Sequence, residues 1–238
     1  MLMVSRAVIA MMVCLGVAAC ASSIPSSDPA AGVEAGRSSH STGIAYRDMP
    51  IRVIENAPTR VSVAGDPRLG SATAKIGIVE FSDYQCLYCR DFHRQQFARI
   101  RKEYIDTGVA QFIHKDLPLP VHPQAIPAAL AAHCAGAQGR FWDMHDALFV
   151  HQGRLGQNLY PELARQLKLD AAKFDACLEN QAYVQDIAQD VGAARGLGFT
   201  GTPSFLIGIV EGGTLNVKRR TRGAPDFEVF VQEIEKLR

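Results

Sequence analysis

Glu80-Phe81-Ser82-Asp83-Tyr84-Gln85-Cys86-Leu87-Tyr88-Cys89-Arg90 is the stretch on which the fold turns. Ahead of it, Lys75-Ile76-Gly77-Ile78-Val79-Glu80-Phe81 is rich in β-branched and aromatic residues, and turn formers at Gly65-Asp66-Pro67 and Gly70-Ser71 introduce it. That pattern predicts a short strand. Behind it, Phe92, Phe97, Ile100 and Tyr104 recur at mostly helical intervals between Arg90 and Asp106, with Gly108 past the end, which predicts a helix. Val109 to Lys115 is a second strand candidate. Strand, C-x-x-C, helix and strand is the setting in which two cysteines become a redox couple.

A cysteine at a helix N-terminus faces unpaired backbone N–H groups and the positive end of the helix dipole, which stabilise its thiolate. Cys86 is expected there, partly exposed, as the attacking nucleophile. Cys89 follows one turn on, placed to close a small disulfide or to resolve a mixed one. A zinc site competes with this reading, because Cys86, Cys89 and His93 form C-x2-C-x3-H. A closed structural site needs a fourth ligand, and no second C-x-x-C or histidine cluster follows at zinc-finger spacing. His93 is expected to be a solvated helix residue.

The whole chain has 238 residues, 47% hydrophobic and 21% charged, which is enough for one domain with a sizeable core. Its 25 basic and 24 acidic side chains nearly balance, arguing against a general affinity for nucleic acid or acidic membranes. At the N-terminus Arg6 precedes an apolar run from Ala7 to Ala19. Such a run rises about 20 Å as a helix, short of a hydrocarbon core of about 30 Å, so residues 1–19 read as a signal peptide. Leu15-Gly16-Val17-Ala18-Ala19-Cys20 resembles a bacterial lipobox, with Cys20 as the lipid attachment point; an ordinary secretory signal cut after Ala21 is the alternative. Residues 20–58, rich in Ser, Ala, Gly and Pro, read as a flexible tether. Loss of the signal removes Arg6 and leaves the mature chain formally neutral.

Between about 123 and 197 helical spacing prevails. Ile126, Leu130, Cys134 and Ala137 share one helical face, and Phe141, Met144, His145, Leu148 and Phe149 share another. Asp170 is a plausible N-cap for a segment bearing Phe174, Cys177 and Leu178. Phe227, Phe230, Val231, Ile234 and Leu237 mark a C-terminal helix, and Lys218-Arg219-Arg220 with Arg222 reads as a solvated turn or hairpin edge.

The segment Glu80 to Arg90 resembles the active-site segment of the DsbA-like branch of the thioredoxin superfamily. Gly198-Phe199-Thr200-Gly201-Thr202-Pro203-Ser204-Phe205-Leu206-Ile207 resembles the loop that carries this family's cis-proline. The likeness covers about Thr59 to Arg238. It implies an α/β, thioredoxin-like fold with an inserted helical subdomain. It also implies that Pro203 packs beside Cys86 in a cis peptide with Thr202, whose backbone pairs with an extended substrate strand. Glu80 matches the family's buried acid beneath the second cysteine, where it accepts the Cys89 proton; burial is expected to raise its pKa, and Lys115 is its expected partner. Cys134 and Cys177 are expected to form a structural disulfide, with a second redox pair or two buried thiols as the other readings. The dipeptide Leu87-Tyr88 lacks the histidine of strongly oxidising members, so an intermediate potential is expected.

The function implied is that of a cell-envelope thiol:disulfide oxidoreductase, periplasmic or otherwise extracytoplasmic and lipid-anchored. It would act on protein thiols, be recycled by a redox partner, and need no cofactor, metal or nucleic acid. Oxidation is favoured because isomerases of this type carry a dimerisation module for which the tether is too short. The alternative is a non-catalytic thioredoxin-fold chaperone or metal-binding protein that uses Cys86 and Cys89 as ligands.

Overall fold

The computed structural model describes residues 59–238. The expected signal peptide, the 20–58 tether and Cys20 lie outside the described residues. Strands β1 (Arg60–Ser62), β2 (Arg68–Leu69), β3 (Ile76–Ser82), β4 (Ala110–Asp116), β5 (Ser204–Glu211) and β6 (Thr214–Arg222) form one sheet in the order β1-β6-β5-β3-β4-β2. Only β3 and β4 pair in parallel. A parallel pair needs a crossover, and the helix after the C-x-x-C motif supplies it. Every residue of β3 is buried, so its apolar run is nearly unbroken instead of alternating.

That crossover helix begins at Leu87, ahead of the expected Arg90. It comprises α1 (Leu87–Phe92) and α2 (Ala98–Ile100), joined and followed by π-helical turns at His93–Phe97 and Arg101–Ile105. The five-residue step from Phe92 to Phe97 does not fit a regular α-helix. Wider π turns absorb it, and both rings are buried in the same core.

Period two along β3 sorts its side chains between two cores. Ile76 and Ile78 join Phe92, Ile100, Phe112, Phe230 and Ile234 beneath α1, α2 and the C-terminal helix α8 (Phe227–Glu235). Val79 and Phe81 face the other way, toward Leu197, Phe199 and Leu206. Glu80 therefore falls on the Ile76–Ile78 face, an acid at the end of an apolar row.

Between β4 and β5 stand α3 (Ala125–Gly136), α4 (Phe141–Val150), α5 (Leu159–Gln166), α6 (Ala171–Glu179) and α7 (Val184–Gly196), a helical insertion in a thioredoxin-like sheet. Asp170 caps α6 by accepting the Lys173 N–H at 3.1 Å. The stripe expected on α3 is only partly right, since Ile126 is 48% exposed while alanines line most of the buried surface. Neighbouring insert helices surround α3, so it has no broad polar face, and its alanines let them approach. The basic run lies on β6, hairpinned to β5.

Cys134 on α3 and Cys177 on α6 are joined by a disulfide across a sequence separation of 43. Closing a loop of that length should remove about 3–4 kcal/mol of chain entropy from the unfolded state. Replacing both cysteines with alanine is expected to lower Tm by roughly 10 °C. A thermal melt unchanged from the parent would show that the bridge contributes nothing to stability.

Candidate active site

Cys86 occupies the N-cap of α1 in extended conformation (φ −73°, ψ 123°), so its sulfur stands over the first helical turn. The loop before it is pinned by Asp83, a buried acid. One Asp83 oxygen accepts the Gln85 N–H at 2.7 Å; the other accepts the Leu119 N–H at 2.8 Å and lies 2.7 Å from His122 Nδ1. From the insertion, the Gln152 amide donates to the carbonyls of Tyr84 and Cys86 at 2.8 and 2.9 Å. The motif is thus clamped on both sides.

The peptide between Thr202 and Pro203 is cis. The Cys86 thiol contacts the Thr202 carbonyl at 3.4 Å, which brings the two separated motifs together. Cys86 is only 4% exposed, a correction to the expected partial exposure, because the Thr202 loop lies over it. Leu87 and Tyr88 are 57% and 46% exposed, so the surface beside the sulfur is apolar.

The two thiols differ sharply. A hydrogen bond from Cys89 chiefly lowers Cys86, to about 6; Thr202 and the backbone N–H groups of Cys89 and Tyr88 add to this against the opposing effect of burial. Burial foremost, then the Cys86 contact and the Glu80 charge, push Cys89 well above an ordinary thiol. Alkylation of Cys86 should accordingly rise through pH 6 and level off above about pH 7, whereas an ordinary thiol keeps accelerating toward pH 9. A rate that followed an ordinary thiol's titration would contradict the assignment of the low value to Cys86. With the folded thiol depressed below its unfolded value, this contribution to the reduced protein's stability is full above about pH 8.5 and is lost as pH falls through about 6.

Glu80 is fully buried beneath the pair, bonded by the Ser82 hydroxyl at 2.9 Å and lying 2.9 Å from His93 Nε2. Three expectations need correcting here. Lys115 does not pair with Glu80; its ammonium lies 2.6 Å from Asp190 and 2.7 Å from Asp66. The reason is register: Glu80 stands opposite His114, so Lys115, one residue further along β4, points to the other face. His93 is not solvated, its side chain being 6% exposed and its ring stacked on Phe149 at 4.4 Å. The Glu80 carboxyl is also held below its usual value. Burial pushes it up, but the charge and hydrogen bond of His93, with the charges of His114 and His145, outweigh that.

Gln152, Asp83, Ser82, His114 and His145 carry no signal in the local sequence pattern; each matters through a partner contributed by the fold. Cys86 and Cys89 do not form a zinc site with His93, whose ring is turned to Glu80. Among the described residues, the cluster able to hold a metal is Glu80, His114 and His145.

Comparison with known proteins places these features. Residues 62–214 match the family model described as thioredoxin. A curated relative, the Na(+)/H(+) antiporter NhaA 3 of Salinispora tropica, is 37% identical over 139 residues, 58% of this chain and 21% of that protein. The chain thus spans about a fifth of the antiporter's length. Disulfide bond formation protein D of Bacillus subtilis is 27% identical over 154 residues, 61% of this chain and 69% of that one. Among solved structures, Wolbachia pipientis alpha-DsbA1 superimposes with a TM-score of 0.64 at 26% identity, covering 74% of this chain and 92% of that chain. Among the described residues no helix is long and apolar enough to cross a membrane.

Proposed function

The chain belongs to the thioredoxin family, and on that premise we propose that it is a thiol:disulfide oxidoreductase acting on protein thiols. The single observation that carries the reading is the unequal thiol pair: an N-capping Cys86 lowered to about 6 beside a buried, raised Cys89, under the Thr202-Pro203 loop. Names among its relatives support it, one being a disulfide bond formation protein.

In the oxidising direction a substrate thiolate attacks the Cys86 sulfur of a Cys86–Cys89 disulfide. The S–S electron pair leaves on Cys89, which takes up a proton, and a substrate–Cys86 disulfide forms. A second substrate thiolate then attacks the substrate sulfur and expels Cys86, a good leaving group because its thiolate is stabilised. In the reverse direction Cys89 must lose its proton before it can resolve a mixed disulfide. Ser82 lies within hydrogen-bond reach of Cys89 and donates to Glu80, so its hydroxyl can pass that proton to the carboxylate. The held-down Glu80 is ionised and ready, though a weak base. Thr202 offers backbone to an extended substrate, and exposed Leu87 and Tyr88 supply apolar contact.

We further assign the protein an oxidising role outside the cytoplasm, tethered through a lipid on Cys20 and recharged by a separate redox partner. The oxidised protein, mixed with a reduced dithiol peptide in a glutathione buffer, should transfer its disulfide and equilibrate at an intermediate potential. Such a value lies between about −270 mV for thioredoxin and about −120 mV for DsbA. Failure to oxidise the peptide at all would refute the activity. A potential at the DsbA end would refute only the inference from Leu87-Tyr88.

A further inference from the structure

Behind the thiol pair, two histidines and Glu80 converge. Register places Glu80 of β3 beside His114 of β4, and α4 lays His145 over them. All three are buried, and one ligand atom from each lies within 4.8 Å of the others. A carboxylate holds one nitrogen of each imidazole: His114 Nε2 is 3.1 Å from Asp116 and His145 Nδ1 is 3.0 Å from Asp146. A neutral imidazole that donates through one nitrogen carries a lone pair on the other. Those second nitrogens, His114 Nδ1 and His145 Nε2, are buried and have no hydrogen-bond partner. The Tyr84 ring packs on both imidazoles, yet its hydroxyl is bonded to neither. Two buried imidazole nitrogens thus stand without a partner beside a carboxylate that Ser82 and His93 already hold, and leaving those nitrogens unpaired is costly.

We propose that Glu80, His114 and His145 bind a divalent transition-metal ion of the zinc type. Imidazole and carboxylate donors suit such ions. The backing carboxylates Asp116 and Asp146 are the second-shell partners that fix the tautomer and orientation of metal-ligating histidines. Three protein ligands leave a fourth position for water. Zinc bonds of about 2.0–2.2 Å set tetrahedral donors roughly 3.3 Å apart, so the ion draws the side chains together by about an ångström. A cavity of about 590 Å³ lies beside the cluster, its lining including His93 and Asp146. Those two residues contact Glu80 and His145 directly. The site is distinct from the thiol ligands of the alternative metal-binding reading, and it does not depend on the exchange activity. Occupied, it places a cation against Glu80, whose charge now raises the Cys89 thiol.

The test uses cobalt(II), whose visible bands report coordination and whose thiolate complexes add strong charge-transfer absorption. The full-length Cys86→Ser/Cys89→Ser protein, without an affinity tag and with its remaining thiols alkylated, is titrated with Co2+ and then with Zn2+. Uptake of one equivalent is expected, with ligand-field bands but no thiolate band, and zinc should displace it. Adding His145→Gln, or separately Glu80→Gln, should weaken uptake at least tenfold while circular dichroism shows the fold retained. No uptake by the double-serine protein overturns the proposal even if neither further variant folds. Uptake that both variants leave unchanged, or that requires Cys86 and Cys89, overturns it equally. Disulfide transfer by the wild-type chain, assayed in parallel, reports on the exchange reading alone.

Discussion

Cys86→Ser is expected to reduce disulfide transfer to the unassisted rate, measured by oxidation of a dithiol peptide at neutral pH. The hydroxyl cannot form the S–S bond on which every step depends. The remaining thiol cannot take over, because Cys89 is fully buried and its ionisation is pushed well above the usual thiol range. With Cys86 lowered to about 6 and burial pushing Cys89 well above the ordinary thiol range, the thiolate at pH 7 resides on Cys86. The fold should survive, since the Asp83 and Gln152 hydrogen bonds that clamp this loop go to backbone atoms. Retention of even a tenth of the transfer rate would show that exchange runs through some other group, and the proposed mechanism would fall with it.

What could be read from the sequence, and what could not, divides by the range of the interaction. The C-x-x-C motif at a helix start is local, so the strand before Cys86 and the helix after it stand close to their expected places. Glu80 on the inner face follows from period two along β3. Its partners do not, because they depend on the parallel register that sets Glu80 against His114. A helix of regular pitch would not predict the buried place of His93, which lies in a π-helical turn. Gln152 is invisible to any local pattern: its bond to the Cys86 carbonyl spans 66 residues. Alanines make α3 look weakly amphipathic, and only the surrounding helices explain why most of it is buried.

Cys89→Ala carries the complementary expectation: the mixed disulfide accumulates instead of passing through. With position 89 empty, the Cys86 thiolate still attacks a substrate disulfide and expels one substrate sulfur. No internal thiol is then available to displace the other. The covalent complex should become the major species on non-reducing gels and by intact mass, where the wild type shows only a trace. Lifetime depends on how Cys86 leaves. The variant loses the Cys89 hydrogen bond but keeps the Thr202 contact and the backbone N–H groups that stabilise the Cys86 thiolate, so an outside thiol attacking the substrate sulfur still releases it, and the complex persists only when free thiols are absent. Dithiothreitol should therefore dissolve the adduct within minutes, returning intact substrate and free Cys86. Ser82 and Glu80 ought to be irrelevant to this variant, since the proton they are proposed to accept is gone. Ser82→Ala in an otherwise wild-type chain should instead slow resolution without blocking the first attack. A Cys89→Ala protein that forms no adduct, or clears it as fast as the wild type, would show that Cys89 is not the resolving thiol.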